Sequence, residues 1–195
     1  MKVSVIKYNA GNIQSVLFAL KRINIEATVT DDHEEIMSSD KVIFPGVGEA
    51  GSAMKYLNEK KLTDVIAELN QPVLGICLGM QLLCRYSEEN NTTCIGVFDD
   101  VEIKKFNNKE LRVPQIGWNS IQNLSGPLFN DIDENSYCYF VHGYFAELCS
   151  NTIARTEYGS PYSSAIQKNN FYGVQFHPEK SAETGETILK NFFNL

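Results

Sequence analysis

The sequence has 195 residues, 43% of them hydrophobic and 21% charged, proportions that argue against disorder, collagen-like repeats and small disulfide scaffolds. Seventeen Lys plus Arg against 24 Asp plus Glu leave a net charge of −7 with no dense basic run, which speaks against nucleic acid as a partner. A single domain over residues 1–195 is expected, because one hydrophobic core serves a chain of this size.

In chain order, Val3–Ile6 reads as a buried strand, and Ile13, Val16, Leu17, Leu20 and Ile23 recur at helical spacing. Residues 27–29 and 42–44 read as further strands, a βαβ rhythm that implies parallel pairing. His33, behind Asp31 and Asp32, falls in an exposed polar turn or at a helix start. Helices are predicted through 53–57 and 62–69, the second ending before Gln71 and Pro72, and 73–76 reads as a central strand. From about Thr93 the pattern changes to short β-rich runs at 101–106, 118–121, 137–145, 153–158, 164–167 and 172–176, which read as largely antiparallel. A helix over 183–193 closes the chain, with Ser181 as its N-cap. The coarse reading is an α/β fold with a mixed sheet and no internal repeat.

The most apolar stretch, 73–84, contains Gln81 and two glycines and falls well short of the ~20 residues of a membrane span. No membrane association is expected. The N-terminal run lacks the longer apolar region and cleavage site of a secretory signal, so a cytoplasmic protein is expected. Five cysteines without a CxxC read as free thiols in a reducing compartment, with room for one reactive cysteine. No zinc, calcium or P-loop pattern occurs, so neither a metal nor an organic cofactor is expected.

Val73-Leu74-Gly75-Ile76-Cys77-Leu78-Gly79-Met80-Gln81 reads as a strand that turns sharply at Cys77 into a helix, a cysteine version of the nucleophile elbow. Gly75 and Gly79 flank the cysteine because such a turn leaves no room for a Cβ. The helix start beneath the sulfur favours thiolate and offers amide N–H groups to an oxyanion. The bland alternative is a buried, inert cysteine, which is how Cys84, Cys94, Cys138 and Cys149 read. A thiol nucleophile needs a base, and His177 ends an apolar strand with Glu179 two residues on, able to orient the imidazole. His142 is the competing base, or else a core histidine. Pro45-Gly46-Val47-Gly48 follows the strand placed beside the elbow and reads as an oxyanion loop or as a simple tight turn.

These residues resemble the class I (triad) glutamine amidotransferases, whose signature is similar to Gly75-Ile76-Cys77-Leu78-Gly79-Met80-Gln81 with Gln175-Phe176-His177-Pro178-Glu179. Within that family the likeness is to the glutaminase subunits of imidazole glycerol phosphate synthase. It rests on Tyr8-Asn9-Ala10-Gly11-Asn12, Phe44-Pro45-Gly46-Val47-Gly48, Val113-Pro114-Gln115-Ile116-Gly117-Trp118-Asn119 and Tyr139-Phe140-Val141-His142-Gly143-Tyr144. The resemblance implies a single α/β domain with a central mixed, mostly parallel sheet flanked by helices and a β-rich second half. It implies that Cys77 attacks the side-chain amide of glutamine, with His177 as acid and base and Glu179 orienting it. Val47 and Leu78 match the oxyanion site, and Gly46, Gly48, Gln81, Gly143 and Tyr144 match positions that hold the substrate. Asn12, Trp118, Tyr139 and Lys180 match the docking face for a (β/α)8-barrel cyclase, which receives the ammonia in histidine biosynthesis.

Two positions depart from the family pattern: Gln115 stands where histidine is expected, and Gly143 where serine or threonine is common. The first bears on an interface hydrogen bond; the second leaves a backbone N–H intact. Alternative readings are an amidotransferase subunit serving a surface-sugar or anthranilate-type synthase, a γ-glutamyl hydrolase-like cysteine peptidase, and a non-enzymatic regulatory subunit.

Overall fold

The computed structural model describes residues 1–9, 12–107 and 110–195; Ala10 and Gly11 of the N-terminal motif lie outside the described residues. The first half alternates strand and helix. It comprises β1 (Val3–Ile6), α1 (Ile13–Arg22), β2 (Thr28–Thr30), α2 (His33–Met37), β3 (Lys41–Phe44), α3 (Ala50–Glu59), α4 (Leu62–Ala67), β4 (Val73–Ile76) and α5 (Leu78–Leu83). Then come β5 (Cys84–Ser87), β6 (Thr92–Thr93), β7 (Phe98–Lys105), β8 (Gln115–Ser120), β9 (Tyr137–His142), β10 (Tyr144–Ala146), β11 (Thr152–Tyr158), β12 (Ser160–Lys168), β13 (Phe171–Val174) and α6 (Ala182–Phe193).

The strands form a mixed sheet in the order β2-β1-β3-β4-β13-β12-β10-β7-β5-β6, with β11 on β12, while β8 and β9 form a separate two-stranded sheet. Neighbours from β2 through β13 run parallel, as the βαβ rhythm predicts. The strand that leads into the second motif, β13, therefore lies parallel beside the elbow strand, although it pairs antiparallel with β12. Side chains alternate across the sheet: Val42 and Phe44 enter one apolar layer and Ile43 the other. Fully buried aromatics such as Phe44, Phe140 and Phe176 each contribute roughly 2 to 3 kcal/mol by burial and give the elbow a rigid base.

Of the two readings of His33, the structure has the helix start: it opens α2, capped by the Asp32 carboxylate on the Glu35 N–H at 2.9 Å. Other elements differ from expectation. The run predicted over 137–145 breaks at Gly143, and its halves join different sheets. The short strands β5 and β6 carry too few alternating apolar residues to be read in advance. Ser181 occupies the N-cap position of α6 without a side-chain cap bond. Its hydroxyl instead donates to the His177 carbonyl at 2.7 Å and accepts the Tyr139 N–H at 2.9 Å.

Candidate active site

Cys77 stands between β4 and α5 with φ 51° and ψ −109°, a conformation that L residues rarely adopt and that lifts its side chain off the sheet. Tight packing enforces the turn. A Cβ on Gly79 would lie 1.9 Å from the Phe44 carbonyl oxygen, and one on Gly75 2.9 Å from the Met80 backbone. Across the ladder Gly75 pairs with Gly173, where a Cβ would meet Met80 Cγ at 2.4 Å, so the two glycines make room for the first turn of α5.

The same register carries on past β13. The Cys77 N–H donates to the Val174 carbonyl at 2.8 Å, and His177 follows three residues after Val174, beyond the sheet edge. His177 Nδ1 lies 2.8 Å from Glu179 Oε1, with both side chains almost fully buried. Nδ1 is thus committed to the carboxylate, which leaves Nε2 free for Cys77, on the same cavity. Burial works to lower the His177 pKa, but the Cys77 sulfur and the Glu179 carboxylate outweigh it and raise it to about 10. Cys77 and His177 thus border one cavity, with Glu179 on the imidazole, an arrangement whose chemistry is that of a thiol beside a base and its carboxylate.

His142, the competing base, turns away from this role. It is buried, with Nδ1 on the Tyr144 carbonyl at 2.8 Å and Nε2 on the Tyr162 hydroxyl at 3.2 Å. Burial lowers its pKa to about 4, against a partial offset from the Tyr144 carbonyl. A carbonyl only accepts, so Nδ1 carries the proton and His142 is a neutral core histidine. Gln115 belongs to the same internal chain, its Oε1 lying 3.0 Å from the Tyr162 hydroxyl; it is buried and points inward rather than to an interface.

A cavity of about 260 Å³ opens over Cys77 and His177 and is bounded by Val47, Gly48, Gln81, Gly143 and Tyr144. Gly46 lies beneath this wall, its carbonyl accepting the Leu78 N–H at 3.3 Å. Gly48, at φ 121°, is exposed beside it. Gln81 is buried, its Nε2 on the Tyr144 carbonyl at 3.0 Å and on Gln175 Oε1 at 2.9 Å. A Cβ on Gly143 would meet only Val113 Cγ1 at 3.7 Å, an ordinary contact.

Among the docking candidates, Trp118 and Tyr139 form an edge-to-face pair with centroids 5.9 Å apart, and Lys180 Nζ stands 5.9 Å over the Tyr139 ring. Exposed Ile116 on β8 and Tyr137 on β9, with Val113 just before β8, extend this apolar surface. Asn12 lies at the start of α1, accepting from the Ser15 hydroxyl at 2.6 Å. Lys180 also borders the cavity, which joins surface to site.

Sequence reasoning passed over three groups. Glu89 reaches the cavity from the loop after β5, with no motif to flag it. Tyr8, although within a quoted motif, donates its buried hydroxyl to the Pro45 carbonyl at 2.6 Å. Gln175 places its side-chain nitrogen 3.6 Å from Cys77 Sγ. Among the described residues, no group of three or more His, Cys, Asp or Glu side chains converges as a metal site would, and no helix is long and apolar enough to cross a membrane.

The family model described as "Glutamine amidotransferase class-I" matches residues 4–195. The chain is 54% identical to the imidazole glycerol phosphate synthase subunit HisH of Bacteroides fragilis, over the whole of both chains. It is 46% identical to the protein of that name from Shewanella loihica, over 98% of this chain and 89% of the other. Among solved structures it is similar to one described as a glutamine amidotransferase, with TM-score 0.77 and 19% identity over 100% and 98% of the chains. A glutamine amidotransferase from Thermotoga maritima matches with TM-score 0.65 and 19% identity over 100% of this chain and 83% of the other. At such identities the structural likeness speaks for the fold alone.

Proposed function

The chain belongs to the class I glutamine amidotransferases, and from that premise we propose that Cys77, His177 and Glu179 are its catalytic triad. Its function is that of the glutaminase subunit of imidazole glycerol phosphate synthase, releasing ammonia from glutamine. The observation that carries the reading of the site is the Cys77–His177–Glu179 alignment at the floor of a cavity sized for a free amino acid.

The Cys77 thiolate attacks the side-chain carbonyl carbon of glutamine, and the carbonyl electron pair moves onto oxygen. Backbone N–H groups of Leu78 and Val47 hold that oxyanion. His177, charged at neutral pH, gives its proton to the departing nitrogen, and ammonia leaves behind a glutamyl thioester. Water then adds with His177 as base, the C–S bond breaks, and glutamate is freed.

The oxyanion site rests in a closed state. The Leu78 N–H is taken by the Gly46 carbonyl, and that carbonyl belongs to the same peptide plane as the Val47 N–H. One rotation of this plane both frees the Leu78 N–H and delivers the second donor. Backbone at Gly48 and Gly143 shapes the substrate site, with Gln81 and Tyr144 along its wall, and Gly46 acts from beneath it through its peptide with Val47. Burial, followed by the negative charges of Glu89, Glu88 and Glu49, raises the pKa of Tyr144, and this electronegative end of the cavity suits the α-ammonium of glutamine, with Glu89 as its partner.

Residues 1–195 act as one glutamine amidotransferase domain in the cytoplasm, docked through Asn12, Trp118, Tyr139 and Lys180 onto a (β/α)8-barrel cyclase that receives the ammonia. The apolar, aromatic surface beside the cavity supports this docking. The deciding experiment is glutamate release from glutamine by the chain alone, then with the same organism's cyclase and its phosphoribosyl ligand. Strong stimulation that vanishes in Cys77→Ala is expected; hydrolysis that survives Cys77→Ala overturns the triad.

A further inference from the structure

Gln175 has no task in the reaction just described, yet its side chain touches the reacting atom. The register that pairs Val174 with Ile76 sets Gln175 beside Cys77, and its N–H is held by the Ser164 carbonyl at 2.9 Å. The side chain is fully buried, with Nε2 3.6 Å from Cys77 Sγ.

Which end of this amide faces the sulfur follows from a chain of obligate partners. The Tyr144 carbonyl can only accept, so the end of the Gln81 amide lying 3.0 Å from it is the NH2. That NH2 lies 2.9 Å from one end of the Gln175 amide, which must be the oxygen. The other end, the one at the sulfur, is therefore NH2. On another side of the sulfur, the Val141 carbonyl at 3.6 Å takes the thiol proton and, as a dipole, opposes a thiolate. Gln175 opposes Val141 in this respect.

We propose that Gln175 is a further catalytic residue, whose side-chain amide donates to the Cys77 sulfur and stabilises its thiolate, and that Gln81 is the positioning residue that sets the direction of that amide. The proposal rests on the reading of Cys77 as nucleophile. The amide acts in both halves of the reaction: it holds the charge before attack and receives it again when the C–S bond breaks and the electron pair returns to sulfur. Other groups around the sulfur are His177, backed by Glu179, and the neutral Tyr8, Tyr162 and His142. Glu89 and Lys180 stand on the cavity wall. None of these is altered by the substitutions below.

The test is the rate of iodoacetamide alkylation at Cys77 in the full chain, followed by peptide mapping, at about pH 6 and about pH 10. Gln175→Met is expected to slow alkylation roughly tenfold at the lower pH and to match the parent at the higher. Gln81→Met, which leaves the Gln175 amide free to turn, is expected to slow it about threefold at the lower pH only. Parent-like rates at both pH values in either folded variant overturn the proposal. So does a slowing of equal size at both, which marks altered access rather than thiolate stability. Neither outcome touches the triad, which falls only if glutamine hydrolysis survives Cys77→Ala.

Discussion

The backbone N–H of Leu78 donates to the Gly46 carbonyl at 3.3 Å, so the amide nearest the nucleophile is occupied by the chain itself. Tyr8 reinforces this arrangement by donating to the preceding carbonyl, that of Pro45, at 2.6 Å from a buried position. Removing this hydroxyl takes about 1 kcal/mol from the resting state of the 45–48 segment. In Tyr8→Phe, partner-free glutamine hydrolysis is expected to rise about fivefold and stimulation by the partner to shrink in proportion. A steady-state glutamate assay measures both, and an unchanged basal rate removes Tyr8 from control of the segment.

The raised pKa of His177, about 10, sets an alkaline limit on the reaction, because the departing nitrogen needs its proton. Its effect on stability has the same direction: with an unfolded value near 6.5, the contribution is complete below ~6.5 and is lost as pH rises through about 10. In Glu179→Gln the carboxylate charge is gone, so the alkaline limb of kcat is expected to move down by about one unit or more. The amplitude should fall about tenfold to a hundredfold. A kcat profile between about pH 6 and pH 11 checks this, and an unmoved limb assigns it to another group.

His142 has the opposite sign. Burial holds its pKa at about 4 in the fold, against ~6.5 unfolded, so its contribution is complete above ~6.5 and is lost as pH falls toward 4. Between pH 7 and pH 4.5 the protein is expected to lose about 2 kcal/mol through this residue alone. Urea unfolding of the parent and of His142→Gln at the two pH values isolates it: the pH-induced loss should be smaller in the variant by about that amount.

Much of this architecture was legible in the residues, and the exceptions have physical causes. Strand β4, the elbow at Cys77 and the His177–Glu179 pair follow from short-range demands, a glycine-flanked turn and a carboxylate two residues from its histidine. The break at Gly143 was hidden because the apolar alternation of β9 runs on into β10, although the two strands enter different sheets. Glu89 and the inward turn of Gln115 were hidden for another reason. Both are brought to their places by packing between segments distant in sequence, and neither carries a local signal.

The glycines of the site divide sharply by what surrounds them. Gly79→Ala would press a methyl to 1.9 Å from the Phe44 carbonyl oxygen, a backbone atom that cannot yield without separating α5 from β3. The variant is expected to lose about 3 kcal/mol or more, or fail to fold. Gly143→Ser meets only Val113 Cγ1 at 3.7 Å and keeps its backbone N–H. Its stability should lie within about 0.5 kcal/mol of the parent and its KM for glutamine within about threefold. Thermal unfolding and steady-state kinetics on the pair decide both, and a well-folded Gly79→Ala contradicts the packing argument.

Glu89 separates recognition from chemistry. It lies on the cavity wall, and its Oε2 accepts the Ala50 N–H at 2.8 Å, which fixes the side chain without neutralising it. Glu89→Gln keeps an oxygen for that bond while deleting the charge offered to the substrate ammonium. Loss of one charge-assisted contact, about 1.5 to 3 kcal/mol, corresponds to a KM increase of roughly tenfold to a hundredfold. Because the ammonium lies away from the carboxamide under attack, kcat should change far less than KM, the signature of an interaction made equally in ground and transition states. A variant in which kcat falls and KM holds would place Glu89 with the reacting atoms instead.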